Sequence, residues 1–460
     1  MSLLEGLEAS VVRRSEINDD LRVEAEFFWK RYLHEVSALS KRPQRTIGDF
    51  ADVTDGPHGY HVVDESSPIV MLTAKNAKEW FTDKEQADPI ALFVHDANKR
   101  SALSENDIIL STRGTVGLCA LVTSEVLPAN IDQDVARVSF SRTAPVLPGY
   151  LVAYLNSSFG QDHMSRYASG MVQQGLSLQK VREIPIPIFA MEFQKMVSGT
   201  VHLALSKNRE ASDQQAQAEQ THLRALGLEN WQPPEPLTYT RRASEALAEG
   251  RLDAEFHRPK VESLRQILSS RFAIKSLSEL GVVENGQTVP YAEAGEVPII
   301  RSGDLSNIDD DSRFLSATST APIFRLEPGD ILVSSIGFGS IGKIQVFDKP
   351  GTYGTVSEVT VIRQKKLNPY FVAAFLRSLY GQMQIDRYIT GATGQLHLYK
   401  RDVRKIFIPV IPTTQQQQFE TFARASFSAR QQAQSLLERA KRAVEIAIEQ
   451  GEEAGMALLK

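Results

Sequence analysis

Gly329-Asp-Ile-Leu-Val-Ser-Ser-Ile-Gly337 decides how this chain is read, because it occurs twice. Asn106-Asp-Ile-Ile-Leu-Ser-Thr-Arg-Gly114 is the earlier copy. Asp107, Ile108, Ser111 and Gly114 match Asp330, Ile331, Ser334 and Gly337, all at an offset of 223 residues. The correspondence runs on in both directions. Upstream, Ala25-Glu26-Phe27 matches Ala254-Glu255-Phe256, Asp55-Gly56 lines up with Asn285-Gly286, and Pro68-Ile69 with Pro298-Ile299. Downstream, Pro148, Gly160, Tyr167 and Gly170 match Pro369, Gly381, Tyr388 and Gly391, and Val181-Arg182 matches Val403-Arg404. The offset drifts by only a few residues, as small loop insertions cause, so an internal duplication precedes every other reading.

Each copy carries the same order of signals. In the first, a helix is expected from Glu24 to Ala38, with Phe27, Tyr32 and Val36 on its apolar stripe. Short branched runs then read as strands: Pro68–Leu72, Ile90–Val94, Asp107–Leu110, Gly117–Val122 and Val135–Phe140. A helix is expected from Pro148 to Met164, then the glycine loop Ser169-Gly-Met-Val-Gln-Gln-Gly175, then Ile184-Pro-Ile-Pro187, whose prolines exclude helix and central strand. From Met191 to Leu226 the chain has no Pro and a single Gly, which predicts one long helix or one interrupted near Gly199. Gln415–Gln450 repeats it with a legible seam: Phe419, Phe422, Ser426, Ala429, Ala433, Leu436, Ala440, Ala443 and Ala447 alternate steps of three and four. That is a heptad seam of mostly small residues, and the natural partner is the first long helix, antiparallel.

The expected domain bounds follow: 1–20 a helical segment, 21–188 the first globular unit, 189–230 a spacer helix, 231–250 a linker around Trp231-Gln-Pro-Pro-Glu-Pro236, 251–411 the second unit, and 412–460 a second spacer helix. Gly6-Leu7-Glu8 matches Gly227-Leu228-Glu229, which suggests a cyclic arrangement in which the N-terminus completes the C-terminal helix. The fold class is α+β: two tandem pseudo-symmetric α/β domains separated by two long antiparallel coiled-coil helices.

Composition excludes several classes. With 42% hydrophobic and 23% charged residues, the chain reads as a soluble globular protein. The single Cys119, inside an apolar run, permits no internal disulfide and suits the cytoplasm. No basic leader or long apolar run points to a membrane. The net charge of −5 leaves nucleic-acid binding to local patches.

Three motifs invite catalytic readings. Gly337-Phe-Gly-Ser-Ile-Gly342 fits the dinucleotide fingerprint, but Lys343-Ile-Gln-Val-Phe347 after it is a strand pattern where the fingerprint needs a helix. Asn368-Pro-Tyr370 approaches the adenine-methyltransferase tetrapeptide but lacks a proline, and Pro at a helix start explains it. His58-Gly-Tyr-His61 has no further ligands at metal spacing, and no Asp…Glu-x-Lys nuclease pattern occurs. No catalytic, cofactor or metal residue is expected.

Two diverged heads on an antiparallel helix pair suit duplex DNA, where sites recur along one face. At this point the chain resembles the specificity subunits of type I restriction–modification systems. The resemblance rests on Leu252-Asp-Ala-Glu-Phe256, the paired Asp-Ile-x-x-Ser segments, the glycine loops, the proline closures at 184–187 and 408–412, and Gln-rich helix starts such as Gln415–Phe419. It implies two target-recognition domains, no catalysis in this chain, and three kinds of partner. These are double-stranded DNA, two adenine-N6 methyltransferase subunits carrying S-adenosylmethionine, and translocase–nuclease subunits using ATP and Mg²⁺.

DNA contacts are expected from loops. In the first unit these are Gln173, Gln174, Gln179, Lys180 and Arg182; in the second, Thr393, Gln395, His397, Tyr399, Lys400, Arg401 and Arg404. Arg113, Lys75, Asn76 and Arg301 form a second tier. Gln and Arg can make paired bonds to adenine and guanine edges, and Lys and Arg neutralise phosphate. Arg182 and Arg404 are matched between copies, which favours scaffold or phosphate over base reading. The alternatives are a nucleotide-dependent enzyme built on Gly337–Gly342, or a recognition subunit of another methylation-based defence system.

Overall fold

The repeated Asp-Ile stretch is an internal strand of a sheet in each half of the chain. The computed structural model describes residues 10–13, 17, 22–85, 87–170, 174–308, 311–337, 339–391 and 396–460. Most of the 1–20 segment, including Gly6-Leu7-Glu8, lies outside the described residues. The chain divides into two units: Met1–Asn208 with Gln432–Lys460, and Arg209–Gln431.

In the first unit, Ile108–Ser111 lies between Val135–Phe140 and Cys119–Leu121, and Ala51–Asp55 and Trp80–Phe81 complete the sheet. In the second, Ile331–Ser334 lies between Val359–Gln364 and Ile344–Val346, with Gly281–Asn285 outside. The register is also repeated: Ile108 faces Val138 and Ile331 faces Ile362 across antiparallel ladders. These strands read as unbroken apolar runs because both faces are covered. Ile108 and Leu110 turn toward the helical core, while Ile109 turns toward a second sheet with Leu72 and Ile131. Ile331, Val333 and Leu332 divide between two cores in the same way. Successive strand side chains alternate faces, so each strand serves two cores at once.

The repeated residues are scaffold. Asp107 accepts from the Ser104 N–H and from Arg137 Nε at 2.6 Å. Asp330 accepts from the Glu327 N–H and from Arg363 Nε and Nη2. Phe27 and Phe256 open their domains alike: Arg166 stacks over Phe27 at 4.2 Å and Arg387 over Phe256 at 4.3 Å, with Tyr167 and Tyr388 edge-on. Gln194 and Gln416, both buried, tie the entry of each long helix to the chain before it. Their side-chain oxygens accept from the Leu147 and Asn368 N–H groups.

The expected helix Pro148–Met164 is broken at Ser157 into Pro148–Asn156 and Ser158–Tyr167. Ser157 caps the second piece, as Ser378 does in the other copy. The break lets Gly160 approach the preceding turn: a Cβ there would sit 2.4 Å from the Tyr154 oxygen and 2.7 Å from Leu155 Cα. Gly381 is equally tight, 2.4 Å from Leu376 Cα. Gly381→Ala is therefore expected to cost about 1–3 kcal/mol through backbone displacement. Urea unfolding would show it, and an unchanged midpoint would refute this packing account.

Three further expectations are corrected. Ile90–Val94 is not a strand, since Leu92–Ala97 is helical, with Leu92 and Phe93 exposed. The Glu24–Ala38 helix is a 3-10 turn at Ala25–Phe28 followed by Lys30–Leu39. Its stripe does not include Val36, which is exposed; Glu35 turns inward instead, bonded to His163 at 3.1 Å. At Ile184–Pro187 the prolines exclude a central strand as expected, and Pro185–Pro187 lies in a two-stranded sheet with Gln44–Thr46.

The first long helix, Met191–Leu226, is unbroken at Gly199, and the second spans Thr413–Gln450. The seam is buried as read at Phe419, Ser426, Ala429, Ala433, Ala440, Ala443 and Ala447. Within the second unit the two run antiparallel. His222 meets Phe419, and eleven residues earlier the Ala211 oxygen accepts from Ser426 Oγ at 2.9 Å. A hydroxyl that reaches the partner backbone shows why small seam residues are used. Within the first unit Phe193, Val197, Val201 and Ala204 share a core with Ala433, Ala440, Ala443 and Ala447. Both helix ends are held alike: Arg271 Nη1 donates to the Leu226 oxygen and Arg42 Nε to the Ile448 oxygen at 2.8 Å. Among the described residues no helix is long and apolar enough to cross a membrane.

Candidate nucleic-acid interface

Each repeated strand ends in a tight turn, and each glycine loop is built onto that turn. In the first unit the Gly117 N–H returns to the Ser111 oxygen at 2.9 Å, with Gly114 and Gly117 at positive φ. Ser169 and Gly175 exchange both backbone bonds, closing the glycine loop as a hairpin, and the Leu176 N–H donates to the Thr112 oxygen. In the second unit the Gly342 N–H returns to Ser334, Thr390 and His397 close the loop, and the Leu398 N–H donates to Ser335. Short helices, Leu178–Arg182 and Lys400–Val403, follow immediately. Turn, the described ends of the glycine loop and the short helix thus lie together in each unit.

That surface gathers most of the sequence-expected residues. Gln173, Thr393 and Gln395 lie outside the described residues. Gln174 is exposed and lines, with Thr112, Arg113 and Ser169, a cleft of about 290 Å³. Gln179 Nε2 and Lys180 Nζ both donate to Glu183, and Lys180 also lies over the Tyr167 ring. Arg182 is half-buried and donates to the Val53 oxygen at 2.6 Å. Arg404 does the same to the matched Val283 oxygen at 3.1 Å, so each arginine fastens its short helix to the first sheet strand. Arg404 also pairs with Glu284 at 2.7 Å, as does Lys400. The Lys400 bond, with Arg404 beside it, holds the Glu284 carboxyl below its usual range.

His397 and Tyr399 stack with planes 10° apart, and the Arg401 guanidinium lies over Tyr399. Arg401 is 77% exposed, so it is the cation of this group with most reach. Arg301 makes two side-chain bonds to Asp304, and Asp304 also accepts from the Arg301 N–H. Lys75 is exposed, but Asn76 is not: its amide accepts from the Thr73 N–H and donates to the Glu85 oxygen, stapling its turn. Asn76 therefore presents no edge to a ligand.

Sequence reasoning missed the acids that partner these cations: Asp134, Glu183, Glu284 and Asp304. Asp134 sits 3.2 Å from Arg113. Its neighbour Asp132 is pushed up to about 6 by burial, with the Asp134 charge adding to the effect. The repeat itself held a signal, since Asp134 aligns with Glu358 where Val135 aligns with Val359.

The catalytic alternatives fail on geometry. Gly337, Gly339 and Gly342, all at positive φ, form a hairpin turn into the strand Ile344–Val346, so no helix start faces a pyrophosphate. Asn368 caps the helix Pro369–Arg377 by accepting from the Tyr370 N–H. Among the described residues no group of His, Cys, Asp or Glu could hold a metal. Cys119 is fully buried, and burial pushes its thiol up, away from reactivity.

The chain therefore holds two copies of one α/β domain, with shared scaffold bonds and different residues at the turn. Residues 270–424 match the family model for the type I restriction modification DNA specificity domain. That domain coincides with most of the second copy and the start of the second long helix. The chain is similar to the S subunit of the type I restriction–modification system from M. genitalium. Identity is 13% and the TM-score 0.43, covering 91% of this chain and 95% of that one. It is also similar to the HsdS subunit from Thermoanaerobacter tengcongensis, at 15% identity and a TM-score of 0.29, covering 89% and 97%. No curated protein matches the chain.

Proposed function

We propose that this chain reads a bipartite duplex DNA sequence, one short word per recognition domain, and carries no catalytic step itself. It docks two adenine-N6 methyltransferase subunits and the translocase–nuclease subunits in the cytoplasm. S-adenosylmethionine, ATP and Mg²⁺ act on those partners. The observation that supports this is the duplication: matching registers and repeated scaffold bonds, with different residues at the turn that follows the repeated strand. One scaffold with two loop sets is what two different half-site readers need.

The test is to map methylated adenines in cells carrying this chain with its companion methyltransferase. A two-part motif with a constant gap is expected. Replacing residues 251–411 with the corresponding domain of another specificity subunit should change one word and leave the other intact. A continuous motif, or a swap that alters both words, would refute the reading.

A further inference from the structure

We propose that Arg113 and Asp134 form a single reading head for a G·C base pair in the word read by the first domain. The inference rests on the DNA-reading function proposed above. Arg113 Nη1 donates to Asp134 Oδ1 at 3.2 Å, and the two side chains are 48% and 34% exposed. Among the described residues the remaining guanidinium N–H groups and the second carboxylate oxygen have no bonds. The head offers a donor fork and an acceptor side by side.

That pattern complements one base pair in the major groove. Guanine presents O6 and N7 as acceptors for the fork, and cytosine presents its N4 hydrogens to the carboxylate. An A·T pair is rejected on both sides. Adenine N6–H₂ would meet the guanidinium donors, and thymine O4 would meet the carboxylate. Mismatch of this kind gives specificity by repulsion as well as attraction.

The head is also held firmly. Arg113 follows the end of the strand Ile108–Ser111, and Asp134 precedes Val135, the residue paired with Ser111. The Thr112 N–H donates to the Asp134 oxygen at 2.9 Å, and Arg113 is bridged to Gly175 of the glycine loop. Side chains on strand ends are placed more precisely than those on free loops. In the second domain the same backbone bridge joins Ile336 to His397. There Ile336 stands where the first domain has Arg113, and Glu358 where it has Asp134. The acid is kept and the cation is replaced by an apolar side chain, so the two domains differ in chemistry at one corresponding position of the repeat.

The test uses the full chain assembled with its companion methyltransferase. The domain replacement above identifies which word the first domain reads. Duplexes are then made with each base pair of that word replaced in turn. A G·C pair is expected whose replacement by A·T weakens binding roughly 10- to 100-fold. Arg113→Gln should weaken cognate binding by a similar factor and make those two duplexes bind alike. Asp134→Asn should flatten the preference at the same position. Unchanged discrimination in the second word shows that each variant is folded. A first word lacking G·C overturns the proposal. So does an Arg113→Gln variant that weakens all duplexes equally and lowers the salt slope by about one, the mark of a phosphate contact. A wild-type complex with no bipartite specificity would overturn the function proposed above as well as this inference; the other failures leave that function standing.

Discussion

Acidification from pH 7.5 toward pH 3 will cost the second unit about 5 kcal/mol through His222 alone, and His222→Leu will remove that loss. His222 sits on the first long helix among Phe371, Phe375 and Phe419, with ring centroids 5.2–5.8 Å away. Neither ring nitrogen has a hydrogen-bond partner among the described residues. Burial, with the Arg377 charge in support, depresses its folded-state pKa from 6.5 to about 3. A histidine held neutral in this way stabilises fully above its unfolded pKa. Below about 6.5 the unfolded chain takes the proton and the folded chain does not, so stability falls until the folded group titrates near 3. Leucine fills a similar volume without unpaired nitrogens, and the variant should also gain about 1 kcal/mol at neutral pH. Urea titrations of both proteins at pH 7.5 and 4.5, with hydrogen exchange resolving the second unit, measure the difference. Parallel pH profiles for wild type and variant would show that His222 carries no such linkage.

Asp330→Ala will unfold the second unit more readily by about 3–5 kcal/mol. Asp330 is 1% exposed and receives three bonds: from the Glu327 N–H at 2.8 Å and from Arg363 Nε and Nη2 at 2.8 and 2.6 Å. Removing the carboxylate leaves the Glu327 N–H without its acceptor and the Arg363 guanidinium with one remaining acid, Glu327. Asp330→Asn keeps an acceptor for the N–H but not the charge, and should lie between the two. A loss below about 1 kcal/mol for the alanine variant would mean that the pair adds nothing beyond its desolvation cost.

These two residues also show what was legible in the sequence. Asp330 was visible because its counterpart Asp107 does the same work, and duplication writes such positions twice. The fold followed from matches of that kind, and the heptad seam from its own periodicity. His222 was not legible, since its environment comes from aromatic residues at 371, 375 and 419, far along the chain. Ile90–Val94 misled because an apolar run of five suits strand and helix alike, and Leu92 and Phe93 are exposed instead of filling a core. The Pro148–Met164 break turns on Ser157, a cap residue that periodicity does not register. At the candidate interface the cations were visible, but their partners were not. Arg182 and Arg404 spend their charge on backbone carbonyls supplied from strands more than a hundred residues away.

The core of the first unit includes Ala433, Ala440, Ala443 and Ala447, although the rest of that unit ends at Asn208. Synthesis from the N-terminus therefore leaves the apolar stripe Phe193, Val197, Val201 and Ala204 bare while more than two hundred further residues are made. The second unit, contiguous from Arg209 to Gln431, can close first. The first unit's core is thus completed only after the second unit, once residues 433–447 have been made.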